Sequence, residues 1–173
     1  MNIVGLGPSH DLVPWREEET WGLPWDAWSP RYDLLFEMHD RSLFESKGKQ
    51  YMDRLRDSDV PVIMQERHDD IPNSVAYPLD AVSSIVGDYY GSSVAYMVAL
   101  AITRKENRIV LYGVDLSDDY DHQRPNLEYL IGFARGRGIE VEVPEGSLLL
   151  KRRKTDEYQD MGVIYPERYG SLS

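Results

Sequence analysis

Residues 94–102, Val94-Ala95-Tyr96-Met97-Val98-Ala99-Leu100-Ala101-Ile102, constrain the fold more than any other stretch of this chain. The run is apolar on every side, so at 3.6 residues per turn it has no solvated face and predicts a helix buried in the middle of a fold. Polar turn residues 103–107 break it. Arg108-Ile109-Val110-Leu111-Tyr112-Gly113-Val114 follows, β-branched and almost without alternation, as a central strand covered on both faces requires. Buried helix, tight turn and buried strand make half of a βαβ unit. Ligands of open α/β sheets sit at the carboxyl ends of the strands, which makes Asp115 the first candidate site residue.

A chain of 173 residues can bury one sizeable core, and no Pro/Gly/Ser linker divides it. Residues 1–150 are read as one Rossmann-like nucleotide-binding domain of the α/β class, a three-layer sandwich on a mostly parallel sheet. Residues 151–173 are read as a surface tail that could meet a second copy of the chain, so a homo-oligomer stays open. The net charge of −11 argues against nucleic acid, whose affinity comes from Lys and Arg displacing counterions. A small phosphorylated ligand remains compatible, because backbone N–H groups can hold it whatever the net charge. The absence of cysteine removes disulfides, thiolate metal sites and a cysteine nucleophile. No run approaches the ~20 apolar residues of a membrane span, and a cytoplasmic protein is expected.

From the start of the chain, Asn2-Ile3-Val4 reads as a strand running into Gly5-Leu6-Gly7-Pro8-Ser9. The two glycines would let a phosphate or ribose approach the main chain, and Pro8 suits the first turn of a helix facing the ligand. The third glycine of the dinucleotide fingerprint is missing, so NAD and FAD are not expected. Residues 13–31, with four tryptophans broken by prolines, read as an aromatic loop covering an edge of the sheet. Residues 32–39 read as the second strand, with Glu37 and His39 at its carboxyl end as binding candidates. An amphipathic helix over 49–58 buries Tyr51, Met52 and Leu55, and residues 60–64 form a third strand. Residues 65–78 read as a solvated loop in which His68, Asp69 and Asp70 suggest metal ligands only faintly, and 78–86 as a short helix burying Leu79, Val82 and Ile85. Residues 117–125 read as a polar lid, 126–134 as a helix, 139–143 as an outer strand.

Three blocks together resemble those of the bacterial sialyltransferases related to the Campylobacter lipooligosaccharide enzymes. They are Gly5-Leu6-Gly7-Pro8-Ser9; Ser92-Ser93-Val94-Ala95-Tyr96-Met97 with Leu111-Tyr112-Gly113-Val114-Asp115; and Pro144-Glu145-Gly146-Ser147-Leu148-Leu149. The same blocks look like the motility accessory factor and hydroxymethylpterin pyrophosphokinase group. The compact length is like that of phage-encoded or abbreviated relatives. The resemblance implies that Gly5, Gly7, Ser9, Ser92, Ser93 and Asp115 line a nucleotide and that His122 in the lid is a general base; Pro8, Tyr112 and the strand-end pair Glu37 and His39 are kept as further nucleotide-binding candidates. Asp115 is kept beside His122 as a catalytic candidate. An imidazole titrating near neutrality suits proton removal from an acceptor hydroxyl. The chain departs from the family at Leu6, where the family has Asn, and in a shorter lid.

Three functions are consistent with these residues. One is a glycosyltransferase using a nucleotide-sugar donor, with no cofactor or metal required. The second is a phosphoryl or pyrophosphoryl transferase in which Asp115 with Asp118 or Asp119 would hold Mg²⁺. The third is a protein that binds a nucleotide and catalyses nothing.

Overall fold

The computed structural model describes residues 1–26, 31–116, 122–145, 147 and 149–151. Seven short strands form one sheet: β1 (Asn2–Val4), β2 (Thr20–Gly22), β3 (Leu34–Glu37), β4 (Val62–Met64), β5 (Ser74–Ala76), β6 (Arg108–Tyr112) and β7 (Glu140–Glu142). Their spatial order is β5-β4-β3-β2-β1-β6-β7, and each of these pairings is parallel. The expected α/β class and parallel sheet are therefore found.

Alternation along the strands builds the three layers, since successive side chains of a strand point to opposite faces. Ile3, Phe36, Ile63, Ile109 and Leu111 pack on one face with helices α3 (Leu79–Val86), α4 (Ser93–Thr103) and α5 (Arg124–Gly136). Val4, Leu35, Val62 and Met64 pack on the other with Phe44 of α1 (Arg41–Ser46) and with Tyr51, Met52 and Leu55 of α2 (Lys49–Arg56). The long apolar run is the centre of the first layer. From Val94 to Ile102 only Tyr96 escapes full burial, and the helix begins with Ser92 Oγ accepting the Ala95 N–H at 3.2 Å.

Four expectations are corrected. The tryptophan-rich segment is not simply a covering loop: Thr20-Trp21-Gly22 is an internal strand, with Trp21 at 0% exposure beside Phe36 at 5.4 Å between ring centroids. Residues 65–78 likewise contain the edge strand β5, which pairs with β4 from Val62 opposite Ser74 to Met64 opposite Ala76. Leu79, expected inside, is exposed at the start of α3, whereas Val82 and Val86 are buried. Pro8 opens only a 3₁₀ turn, Pro8–Leu12, and no longer helix.

Chain order along the sheet reverses between β1 and β6, so the crevice at their carboxyl ends is the topological switch point. The tips after Val4 and after Tyr112 thus lie side by side on one rim. Residues 117–121 of the expected lid, Trp28, and residues 152–173 of the tail lie outside the described residues.

Candidate functional site

A cleft of about 720 Å³ opens over this rim. Its floor comes from the β1 and β6 tips, one bank from Leu23 to Trp25 and Phe36 to His39, and the other from Tyr90 to Val94, Tyr96 and Gln123. Every wall is a strand carboxyl end, a loop that follows one, or the first turn of a helix.

The two floor loops are joined by main-chain bonds. The Gly5 N–H donates to the Tyr112 carbonyl at 2.8 Å, and the Gly7 N–H to the Gly113 carbonyl at 2.7 Å. Ser9 then closes the junction. Its N–H donates to Asp115 Oδ2 at 2.8 Å and its hydroxyl to Oδ1 at 2.7 Å, while its Oγ accepts the Gly113 N–H at 2.7 Å. Glycine is required here for loop against loop. A Cβ on Gly5 would overlap the Gly113 carbonyl, and Gly113 itself stands at φ +63°, where a side chain is strained. The Gly-x-Gly-Pro-Ser turn therefore spends its Gly5, Gly7 and Ser9 donors on the end of β6 and the loop that follows it, and Pro8 has none.

The Leu6 N–H has no partner among the described residues, and further free donors occur at the start of α4. The first N–H groups of a helix have no intrahelical partner, and the helix dipole places partial positive charge on them. Ser92 Oγ caps Ala95, which leaves the Ser93 and Val94 N–H groups at the cleft wall, with the Ser93 hydroxyl beside them. Tyr90 and Tyr96 stack next to this turn, with centroids 4.4 Å apart and planes 15° from parallel. Burial, then the neighbouring Tyr90, pushes the Tyr96 phenol above its ordinary value, so its hydroxyl remains a donor.

On the opposite bank, Glu37 ends β3 at 1% exposure and is the hub of a charged cluster. Its Oε2 accepts from Lys47 Nζ at 2.9 Å and from the Tyr51 hydroxyl, and its Oε1 contacts His39 Nδ1 and accepts the His39 N–H at 3.1 Å. Burial pushes the Glu37 carboxyl up, but the hydrogen bonds from Lys47, Tyr51 and His39 outweigh it and hold the group below its ordinary value. Tyr51 is pushed far above the ordinary phenol range, by burial first and then by the Glu37 charge, so it donates and never ionises. Lys47 also lies 4.6 Å from the ring centroids of both Trp25 and Tyr51.

Of the residues singled out in the sequence, Gly5, Gly7, Pro8, Glu37, His39, Ser92, Ser93 and Asp115 line this cleft. Ser9 is buried beneath the floor as the clasp on Asp115. Tyr112 packs toward the α1/α2 layer. His122 is exposed just before α5 and is not among the residues that line the cleft. Ser147, from the third block, is fully buried and donates to the Val114 carbonyl at 2.8 Å, bracing the β6 tip. Among the described residues no three His, Cys, Asp or Glu side chains converge as metal ligands, and Asp118 and Asp119 lie outside them. Sequence reasoning passed over Trp25, Tyr90, Tyr96 and Lys47. Tyr96 carried a signal: a single polar tip one turn after Ser92 in an otherwise apolar helix.

No family model and no curated protein sequence matches the chain. Among solved structures it is similar to the sialyltransferase CstII from Campylobacter jejuni in complex with cytidine-5'-monophosphate, with a TM-score of 0.54 and 12% identity over 98% of this chain and 96% of that one. A second structure of that enzyme, in complex with CMP-3FNeuAc, also gives 0.54 and 12%, over 82% of this chain and 78% of the other. At such identity the likeness speaks for architecture and leaves chemistry to the site. The chain has a sialyltransferase-like α/β fold.

Proposed function

We propose that this protein is a glycosyltransferase that binds a CMP-linked sugar in the cleft and moves the sugar to a hydroxyl acceptor. The observation that carries this reading is the pair of N–H groups, unengaged among the described residues, and the Ser93 hydroxyl at the start of α4, opening on a cleft at the switch point. The donor phosphate sits there, because oriented amides and a helix dipole favour an anion that gains charge as the sugar departs. Tyr90 and Tyr96 flank the phosphate, and the sugar extends across the floor toward β3. No metal is required in this reading. The resemblance of the blocks around Gly5, Ser92 and Asp115 to those of sialyltransferases, and the likeness to a fold solved with CMP and CMP-3FNeuAc, support cytidine as the base.

A thermal-shift panel of CMP, UDP, GDP and ADP, each with and without Mg²⁺, tests the binding step, since a ligand of the native state raises the melting temperature. CMP is expected to give the largest shift, independent of Mg²⁺. The variant Ser93→Pro removes one amide and one hydroxyl at a helix position that tolerates proline, after a residue already extended at φ −164° and ψ 161°. It should weaken CMP about tenfold or more, the scale of hydrogen bonds to a charged group, while the unliganded protein melts as before. A panel in which no nucleotide moves the transition would refute the reading. A shift that appears only with Mg²⁺ and a diphosphate would favour phosphoryl transfer.

A further inference from the structure

We infer that His39 is the general base of the cleft and that Glu37 is its positioning residue. The inference rests on the transferase reading above and deepens it. Among the described residues, five titratable ones line the cleft: Glu37, His39, Tyr90, Tyr96 and Asp115. Both Asp115 oxygens already accept from Ser9, the Glu37 carboxylate is buried under three donors, and the Tyr96 phenol is held protonated. Tyr90 shares its hydroxyl with Ser83 at 3.0 Å. His39 differs from all of them. Its side chain is 42% exposed and faces the cleft, yet it is fixed at one end.

That fixed end decides the tautomer. An ionised carboxylate only accepts, so the proton between Glu37 Oε1 and the ring belongs to Nδ1, and Nε2 carries the lone pair. The His39 N–H donates to the same Oε1 at 3.1 Å, so ring and main chain are held by one atom. Among the described residues nothing hydrogen-bonds Nε2. A nucleophile's base oriented by a carboxylate on its far nitrogen is the general arrangement for proton removal by imidazole. The ring stands across the floor from the β6 tip, three strand spacings away or about 14 Å, on the bank toward which the sugar extends.

The step balances without a further reactant. The acceptor hydroxyl gives its proton to His39 Nε2 as its oxygen bonds to the anomeric carbon. The bond from that carbon to the phosphate oxygen breaks, and its electron pair leaves with CMP. The imidazolium, facing both Glu37 and solvent, then releases its proton to water. When the acceptor is water itself, the outcome is donor hydrolysis.

The charged and titratable groups around the ring are Glu37 on β3, Lys47 between α1 and α2 with Nζ 3.4 Å from Nδ1, Tyr51 on α2, and Asp40 next in the chain. Replacing Glu37 by Gln, whose amide can turn either its oxygen or its NH2 toward Nδ1, releases the tautomer and should reduce kcat while KM holds, a response that a purely structural role would not give.

The experiment measures CMP release from CMP-N-acetylneuraminate, with CMP binding followed in parallel by calorimetry. His39→Ala should lower kcat by about 10²- to 10⁴-fold, the usual range for a general base, keep CMP affinity within about threefold of the unchanged chain, and regain part of its rate with added imidazole. A His39→Ala protein that turns over within threefold of the unchanged chain overturns the assignment and leaves the transferase reading intact. So does a loss confined to His122→Ala. A chain that binds CMP yet consumes no donor overturns the assignment and keeps the nucleotide site; one that does not bind CMP overturns both.

Discussion

The two sides of the cleft are held in opposite ways. At the β1/β6 rim, loop meets loop through backbone amides and carbonyls, finished by one serine and one aspartate, with glycine allowing the approach. At the β3 rim, side chains do the work: a buried carboxylate is neutralised by one lysine and steadied by a tyrosine and a histidine. The first arrangement consumes its donors and leaves a rigid floor. The second consumes three of its groups to leave one, His39 Nε2, available. A rigid floor and a poised side chain need different chemistry, and they should fail differently.

The largest effect is expected from breaking the charged side. Lys47→Met leaves the buried Glu37 carboxylate without its counter-charge, and losing one partner of a buried pair costs about 3–5 kcal/mol. Urea denaturation reads the loss, and the double variant Lys47→Met with Glu37→Gln should recover most of it. If the single variant is as stable as the unchanged protein, the two sides are not built differently. The same pair sets a pH dependence. The folded Glu37 value lies below the ordinary 4.5, so its stabilisation is complete above the unfolded carboxyl's titration and disappears as pH falls through the lower folded value. In Lys47→Met, burial acts with less opposition, and the stability profile should shift to higher pH.

Breaking the backbone side comes next. Gly113→Ala forces a Cβ against Gly5 at a positive φ, and should cost about 3 kcal/mol from strain and overlap together. Ser9→Ala removes the hydroxyl donation to Asp115 Oδ1 and the acceptor of the Gly113 N–H, keeping the main-chain donation to Oδ2, at about 2 kcal/mol measured by the same denaturation curves. CMP affinity should fall in both, because the floor shifts as a unit. The smallest effect sharpens the picture of the helix wall. Ser92→Ala loses only the cap on Ala95, worth about 1 kcal/mol, and should leave the amides of Ser93 and Val94 able to hold CMP.

How much of this was readable beforehand depends on what each element had to express. Helix α4 and strand β6 declared themselves because a fully buried element must be apolar on all sides. Strands β2 and β5 did not, because Thr20-Trp21-Gly22 and Ser74-Val75-Ala76 lack the β-branched apolar run that marked β1 and β4. Trp21 sits between a threonine and a glycine, with prolines on both sides of the segment, and its burial comes from neighbours distant in sequence. Edge strand β5 exposes Val75 and Ala76, so its composition matches a loop. Glu37 and His39 were legible as polar residues at a strand's carboxyl end. Their partners Lys47 and Tyr51 were not, since the chain must turn through α1 before those side chains arrive. The glycines of the first motif were legible as a tight turn, but whether they face a ligand or another loop is a property of the sheet order.

Trp25 is 47% exposed at the cleft, 5.0 Å from the Tyr51 ring centroid and under the Lys47 ammonium. An indole so placed emits into half-aqueous surroundings beside a fixed positive charge. A sugar or base settling against it would alter its emission maximum and its accessibility to iodide, whereas Trp21, sealed between the layers, would keep a constant signal. The protein thus carries an optical reporter of occupancy together with its own internal standard.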